Sequence, residues 1–214
     1  MTVGLVMGDT SMGNGDTLTL FLKTKTIYDM TEYEKMRSAE LYRFDDTEVL
    51  ASVNRANELC VRLSQMTLTS PDYRPTVEAL IPGLPESSAV NPPFHCDHGH
   101  GISIGEDTFI NYDCIMLDGG RISIGAHCKI GPRCQFFTPQ HPIDCEERMK
   151  PVETCYPITI GDNCWLGGGV TVCPGVTIGD RCIIAAGSVV VRDIPADSMA
   201  AGNPAVVKKS LKKA

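Results

Sequence analysis

From Ile160 onward the chain repeats its apolar positions every six residues. Ile160, Leu166, Val172, Ile178, Ile184 and Val190 form a column in which every member is a branched aliphatic residue. The column that follows, Gly161, Gly167, Cys173, Gly179, Ala185 and Val191, is mostly small, as expected where the chain turns tightly and a larger side chain would collide. A third column, Cys164, Val170, Val176, Cys182, Ser188 and Ile194, is small or medium-sized. Helices repeat near 3.6 residues and strands near 2, so a strict period of six fits neither. It fits a solenoid: each hexapeptide is one short strand plus a corner, three close a triangular coil, and the aliphatic column fills the interior.

The pattern also runs earlier, through Ile104, Ile110 and Met116, then, after a two-residue slip, through Ile124, Ile130 and Phe136. Cys114, Cys128 and Cys134 again occupy the small column. Between Phe137 and Tyr156 the aliphatic column would fall on Pro142, Arg148 and Thr154, none able to fill an apolar core. The stretch 137–156 is therefore expected to leave the solenoid as a loop, and it carries His141. Long excursions from a regular scaffold commonly carry function.

Ahead of the solenoid the period changes to three and four. Thr31-x-x-Glu34 makes a capping box for a first helix. A second should start at Asp45 or Asp46 and run to about Met66, burying Val49, Leu50, Val53, Ala56, Leu59, Cys60, Leu63 and Met66 as one stripe. A third should span Pro75 to Ile81, stopped by Gly83. Pro85, Pro92 and Pro93 suggest an extended linker into the solenoid. The expected organisation is an N-terminal extension of uncertain structure (1–30), a small helical module (31–84), a mainly β solenoid domain (85–207) and a basic tail (208–214).

Composition narrows the function classes. With 214 residues and 43% apolar content, the chain can build one substantial core with a small appended module. Twenty-six acidic against 19 basic residues give a net charge of −7, and the basic cluster Lys208, Lys209, Lys212 and Lys213 is small. A nucleic-acid partner, which needs a broad cationic face, is not expected. No apolar run approaches the ~20 residues that span a bilayer, and no basic-then-apolar leader opens the chain. No membrane partner and a cytoplasmic location are expected. None of the ten cysteines forms a Cys-x-x-Cys pair. The five in phase with the repeat are expected to be small core fillers.

Several motifs together resemble one family. They are Glu34-Lys35-Met36 with Glu40-Leu41-Tyr42, Pro92-Pro93-Phe94-His95-Cys96-Asp97, Phe109-Ile110-Asn111 and Thr138-Pro139-Gln140-His141-Pro142. Pro157-Ile158-Thr159-Ile160-Gly161-Asp162-Asn163-Cys164-Trp165-Leu166-Gly167 and Ala200-Ala201-Gly202-Asn203-Pro204-Ala205 complete the set. From about Thr31 to Lys209 the chain resembles the maltose and galactoside O-acetyltransferases, within the hexapeptide-repeat acyltransferases. The resemblance implies a left-handed parallel β-helix and a homotrimer with active sites between neighbouring subunits. It also implies acetyl transfer from acetyl-CoA to a hydroxyl of a sugar such as maltose, glucose or a galactoside, with no metal.

The family's site residues carry over onto matching positions. His141 is the implied catalytic base, since an imidazole titrating near neutrality can take a hydroxyl proton during attack on a thioester. Glu153 matches an active-site glutamate that orients the imidazole or binds the acceptor. Asp97, Asn111 and Asp118 match acceptor-binding positions. Asp45 resembles an aspartate that reaches the sugar, with a helix cap as its other reading. Trp165, Gly168 and Ala186 match the wall of the pantetheine groove, and Arg192 and Lys209 match positions near the nucleotide phosphates. Val206 stands where the family commonly has a basic residue, with Lys208 as an available substitute.

Two other readings compete. His95, His98, His100 and His127 could suggest the three-histidine zinc site of γ-type carbonic anhydrases, provided they converge. Their order and separation do not resemble that family's. A non-catalytic trimeric scaffold is the other alternative, and it leaves the joint presence of His141, Glu153, Asn111 and Trp165 unexplained.

Overall fold

The computed structural model describes residues 29–212; the segment 1–28, with the alternating stretch at Leu18 to Phe21, lies outside them. The hexapeptide columns become the inside of a parallel β-helix with three faces. The first face stacks Ala89–Val90, Phe109–Ile110, Lys129–Ile130, Trp165–Leu166, Ile183–Ile184 and Ser198–Gly202. The second stacks Phe94–Cys96, Cys114–Leu117, Gln135–Phe137, Thr171–Val172 and Val189–Val190. The third stacks Ile102–Ile104, Ile122–Ile124, Ile158–Ile160 and Thr177–Ile178. Every member of the column Ile160 to Val190 is buried, so each hexapeptide sends one branched side chain into the shaft.

The small columns have packing reasons. A Cβ on Gly167 would lie 2.5 Å from the backbone nitrogen of Ala186 in the next coil, so the coils nest only because that position lacks one. Cys114, Cys128, Cys134, Cys164 and Cys182 are all buried, and the ten cysteines are free thiols. The Cys164 thiol donates to the Gly179 carbonyl in the coil above at 3.1 Å, which satisfies a weak donor inside the wall.

Strand register corrects the early period. Leu166 pairs with Ile184, eighteen residues on. Val90 pairs with Ile110, Cys96 with Met116 and Ile104 with Ile124, each twenty residues on. The slip after Met116 is therefore the second of two, the first following Cys96. Both fall at the corner between the second and third faces. The excursion after Phe137 leaves from the same corner one coil later, and Ile124 consequently pairs with Ile160, thirty-six residues on.

That excursion is not a bare loop, as its sequence suggested. Pro139–Gln140 and Val152–Cys155 form an antiparallel pair, and Val152–Cys155 pairs on its other side with Tyr42–Arg43 of the helical module. Between the strands sits a short helix at Cys145–Arg148, capped by Asp144, whose Oδ1 accepts the amides of Glu146 and Glu147 at 2.9 Å. Val152 and Cys155 are the buried anchors of the hairpin. They stand out of phase with the hexapeptides, so the column pattern could not mark them.

In the module, α1 (Glu32–Arg37) carries the Thr31/Glu34 capping box. α2 (Thr47–Leu63) is capped by Asp46, and α3 spans Tyr73–Leu80. Ala56, Cys60 and Leu63 of α2 and Tyr73, Val77 and Leu80 of α3 join the solenoid core. Met36, Tyr42, Val49 and Cys155 form a second cluster where module meets excursion. Two sequence expectations change here. The proline-flanked linker already contains solenoid, since Ala89–Val90 and Phe94–Cys96 belong to the first coil. The basic tail begins inside a strand, Ala205–Ser210, which folds back antiparallel on Ser198–Gly202 and holds Lys208 and Lys209. Among the described residues no helix is long and apolar enough to cross a membrane.

Candidate active site

The widened corner gathers chemistry that the regular corners do not hold. Pairing of the excursion with the module sets Tyr42 opposite Glu153, and the Tyr42 hydroxyl donates to Glu153 Oε1. Oε2 of the same carboxylate lies 3.6 Å from His141 Nδ1. The Glu153 side chain is 13% exposed and that of His141 56%. The carboxylate is thus sheltered and the imidazole reachable. Phe44 sets its ring edge-to-face with His141, centroids 6.1 Å apart, so the imidazole is held from two sides.

These groups open on a cleft of about 420 Å³ lined by His141, Glu153, Asp97 and His98, with Tyr42, Phe44, Val49 and Val53 as its less polar wall. Burial, then the nearby charges of Asp118 and Glu153, push Asp97 up to about 7. Burial chiefly drives Tyr42 well above the ordinary phenol range, which keeps it a neutral donor to Glu153. Burial also pushes the Cys155 thiol up to about 11, so it stays protonated behind the site.

Asp118 has a different task from the acceptor contact expected of it. It is fully buried; its Oδ1 accepts the backbone amides of His98 and Gly99 at 2.8 and 3.1 Å, and its Oδ2 that of Gly101 at 2.9 Å. It therefore shapes the turn that presents Asp97 and His98, with no surface left for a ligand. Asp45 neither caps α2 nor lines the cleft. Its carboxylate takes both arms of Arg43, at 3.0 and 2.8 Å.

The remaining expected residues lie elsewhere on the solenoid. Asn111, Gly168 and Ala186 sit at the corner between the first and second faces. Consecutive coils nest tightly there, the Gly169 amide donating to the Pro132 carbonyl at 2.8 Å and the Gly187 amide to that of Gly168 at 2.9 Å. Trp165, 57% exposed, and Lys209 lie on the first face. Exposed Arg192 follows Val189–Val190 on the His141 side. Within one chain the cofactor-type residues, Arg192 excepted, thus lie away from the edge that holds His141.

Tyr42, Phe44 and His98 are the cleft residues whose roles the sequence did not reveal. Tyr42 stood in a matched motif without an assigned part, and His98 entered only as a metal ligand. The histidines do not converge on a metal. His98 Nδ1 lies 2.8 Å from Ser52 Oγ, while His127 faces Asp107 at 3.4 Å on the corner between the third and first faces. Among the described residues no three His, Cys, Asp or Glu side chains group to hold an ion.

Comparison with known proteins agrees with this architecture. Residues 157–192 match the family described as bacterial transferase hexapeptide (six repeats). A maltose O-acetyltransferase from Clostridium difficile 630 is 37% identical, with a TM-score of 0.83 over 86% of this chain and 99% of that one. A hexapeptide-repeat containing acetyltransferase from Vibrio cholerae, solved with acetyl coenzyme A, is 41% identical, with a TM-score of 0.80 over 86% and 100% of the two chains. A galactoside acetyltransferase in complex with coenzyme A is 29% identical, with a TM-score of 0.81 over 86% and 92%. Identity sustained along almost the whole length of such relatives, on the same stack of hexapeptide coils, means that this chain belongs to the hexapeptide-repeat acetyltransferases.

Proposed function

We propose that the chain transfers the acetyl group of acetyl-CoA to a hydroxyl of a sugar of the maltose, glucose or galactoside type, with His141 as general base. The observation that carries this reading is the line Tyr42, Glu153, His141, in which a sheltered carboxylate, held by a neutral phenol, faces Nδ1 of a reachable imidazole. A proton on Nδ1 directed at Glu153 leaves Nε2 as the basic atom. Nε2 takes the hydroxyl proton as that oxygen attacks the thioester carbonyl carbon. The tetrahedral intermediate then collapses, the C–S bond breaks, and the imidazolium returns the proton to the departing coenzyme A sulfur. General-base assistance of this kind supplies about 10²–10⁴ in rate.

The acceptor class is supported by the cleft, where Tyr42 and Phe44 wall a space rimmed by carboxylates and imidazoles, groups that pair with sugar hydroxyls. It is supported also by likeness to a maltose O-acetyltransferase and a galactoside acetyltransferase. For acetyl-CoA, Trp165, Gly168 and Ala186 make the groove wall, with Lys209 and Arg192 toward the phosphates. Since His141 and most of that groove occupy different edges, we assign the complete site to the contact between neighbouring copies in a homotrimer. Asn111 then reaches the acceptor from the groove side.

The test is free-thiol release from acetyl-CoA with maltose, glucose and galactosides. His141→Ala is expected to lose at least about a hundredfold in kcat while its melting temperature and size in solution stay those of the parent. An unchanged rate would overturn the assignment.

A further inference from the structure

His98 is 2% exposed, yet it forms part of the cleft wall beside Asp97 and His141. Its placement is fixed from several sides. The backbone amide donates to Asp118 Oδ1 at 2.8 Å, and the ring meets Tyr33 and His100 edge-to-face, centroids 6.2 and 5.9 Å away. Nδ1 lies 2.8 Å from Ser52 Oγ on α2. Burial holds the imidazole down to about 4, so at neutral pH it carries one ring proton. The Ser52 hydroxyl has no other partner among the described residues. With Nδ1 engaged by Ser52, Nε2 is the ring nitrogen left for a ligand. Nε2 itself has no partner among the described residues and is not among the fully enclosed orphan atoms, Arg37 Nη2 and Thr76 Oγ1. A ring nitrogen without a protein partner, on a nearly buried residue in the wall of a ligand-sized cleft, is an unmet polar group whose match is a ligand hydroxyl, which can both donate and accept.

We infer that His98 is a specificity-determining residue whose Nε2 hydrogen-bonds a hydroxyl of the acceptor other than the one His141 deprotonates. This rests on the sugar-acetylation reading above and makes it more specific. The acceptor is a polyol read at two hydroxyls, one reacting and one recognised, with His98 selecting against analogues that lack the second. The rigid support from Ser52 and Asp118 fits such a task, since discrimination is strongest where a site group left unpaired cannot move away.

The experiment compares an acceptor sugar with its full set of monodeoxy analogues, in the parent enzyme, His98→Phe and His98→Gln. In the parent, one analogue should fall about tenfold or more in kcat/KM, the scale of one hydrogen bond. In His98→Phe the complete sugar should drop to the level of that analogue, chiefly through acceptor KM. The analogue itself should change little, and the KM for acetyl-CoA should hold. His98→Gln, whose amide can donate or accept, should recover part of the discrimination. Should the phenylalanine variant fail to fold, Ser52→Ala serves in its place; it leaves the ring but frees Nδ1, and should blunt the same preference. An equal loss for the sugar and every analogue, or an unaltered analogue profile, overturns the His98 assignment and leaves His141 as base untouched. Absence of transfer by the parent enzyme to any sugar overturns both.

Discussion

Two edges of the solenoid are made from the same hexapeptides and differ in almost everything else. At the corner between the first and second faces, Gly131, Gly167 and Ala185 follow Ile130, Leu166 and Ile184 with no residue to spare. Each turn nests into the next, as the 2.5 Å gap between a Cβ on Gly167 and the Ala186 nitrogen shows. At the corner between the second and third faces, the chain gains two residues after Cys96, two after Met116 and a whole hairpin after Phe137. Asp97, His98, His141 and Glu153 gather there. A turn that must fit its neighbour leaves no cleft between coils, and its long polar side chains, such as Arg133 and Asp113, stay exposed. The relaxed edge is where the cleft residues gather, while the strict edge is tightly nested.

Breaking the strict edge should have the largest effect. Gly167→Val drives a branched side chain into the Ala186 backbone and should cost about 3 kcal/mol or more. That lowers the melting temperature by roughly 6–12 °C for a chain of this size. A variant that melts with the parent would mean that the edge is not tight. On the relaxed edge the sign of the comparison reverses. Glu153→Gln keeps the shape and the Tyr42 contact but removes the charge facing His141. It should lose about tenfold in kcat, ~1.4 kcal/mol, with melting within a few degrees of the parent. Steady-state kinetics beside a melting curve checks both halves.

A pH dependence tests the relaxed edge in another way. Burial, with Asp118 and Glu153, raises Asp97 from 3.8 to about 7. Between those values the folded chain holds a proton that the unfolded chain has released, so this carboxyl lowers stability as pH rises from about 4 to about 7. Asp97→Asn removes the dependence. It should melt a few degrees above the parent at pH 8 and with it near pH 4, and an equal difference at both would contradict the buried-charge account.

Much of the fold was legible because the repeat is a local rule. The column from Ile160 to Val190 can be counted along the chain, and the slip after Met116 with the break after Phe137 marked two of three departures at one corner. The slip after Cys96 escaped because the first coil, Ala89–Val90 and Phe94–Cys96, lies among prolines and a histidine cluster and reads as a linker. In the site, His141 was legible as a residue forced out of phase. Asp118 was misjudged because its three backbone partners are set by how one coil's turn sits on another. Sequence spacing does not encode that contact.

The sequence by itself determined the shaft, its small-residue corners and the point where the chain must leave it, since each follows from side-chain size at a fixed period. Only the tertiary structure decided which carboxylate faces His141 and what holds it. Tyr42 and Glu153 are 111 residues apart. Their register comes from burying Met36, Tyr42, Val49 and Cys155 together, a choice made by packing between distant segments.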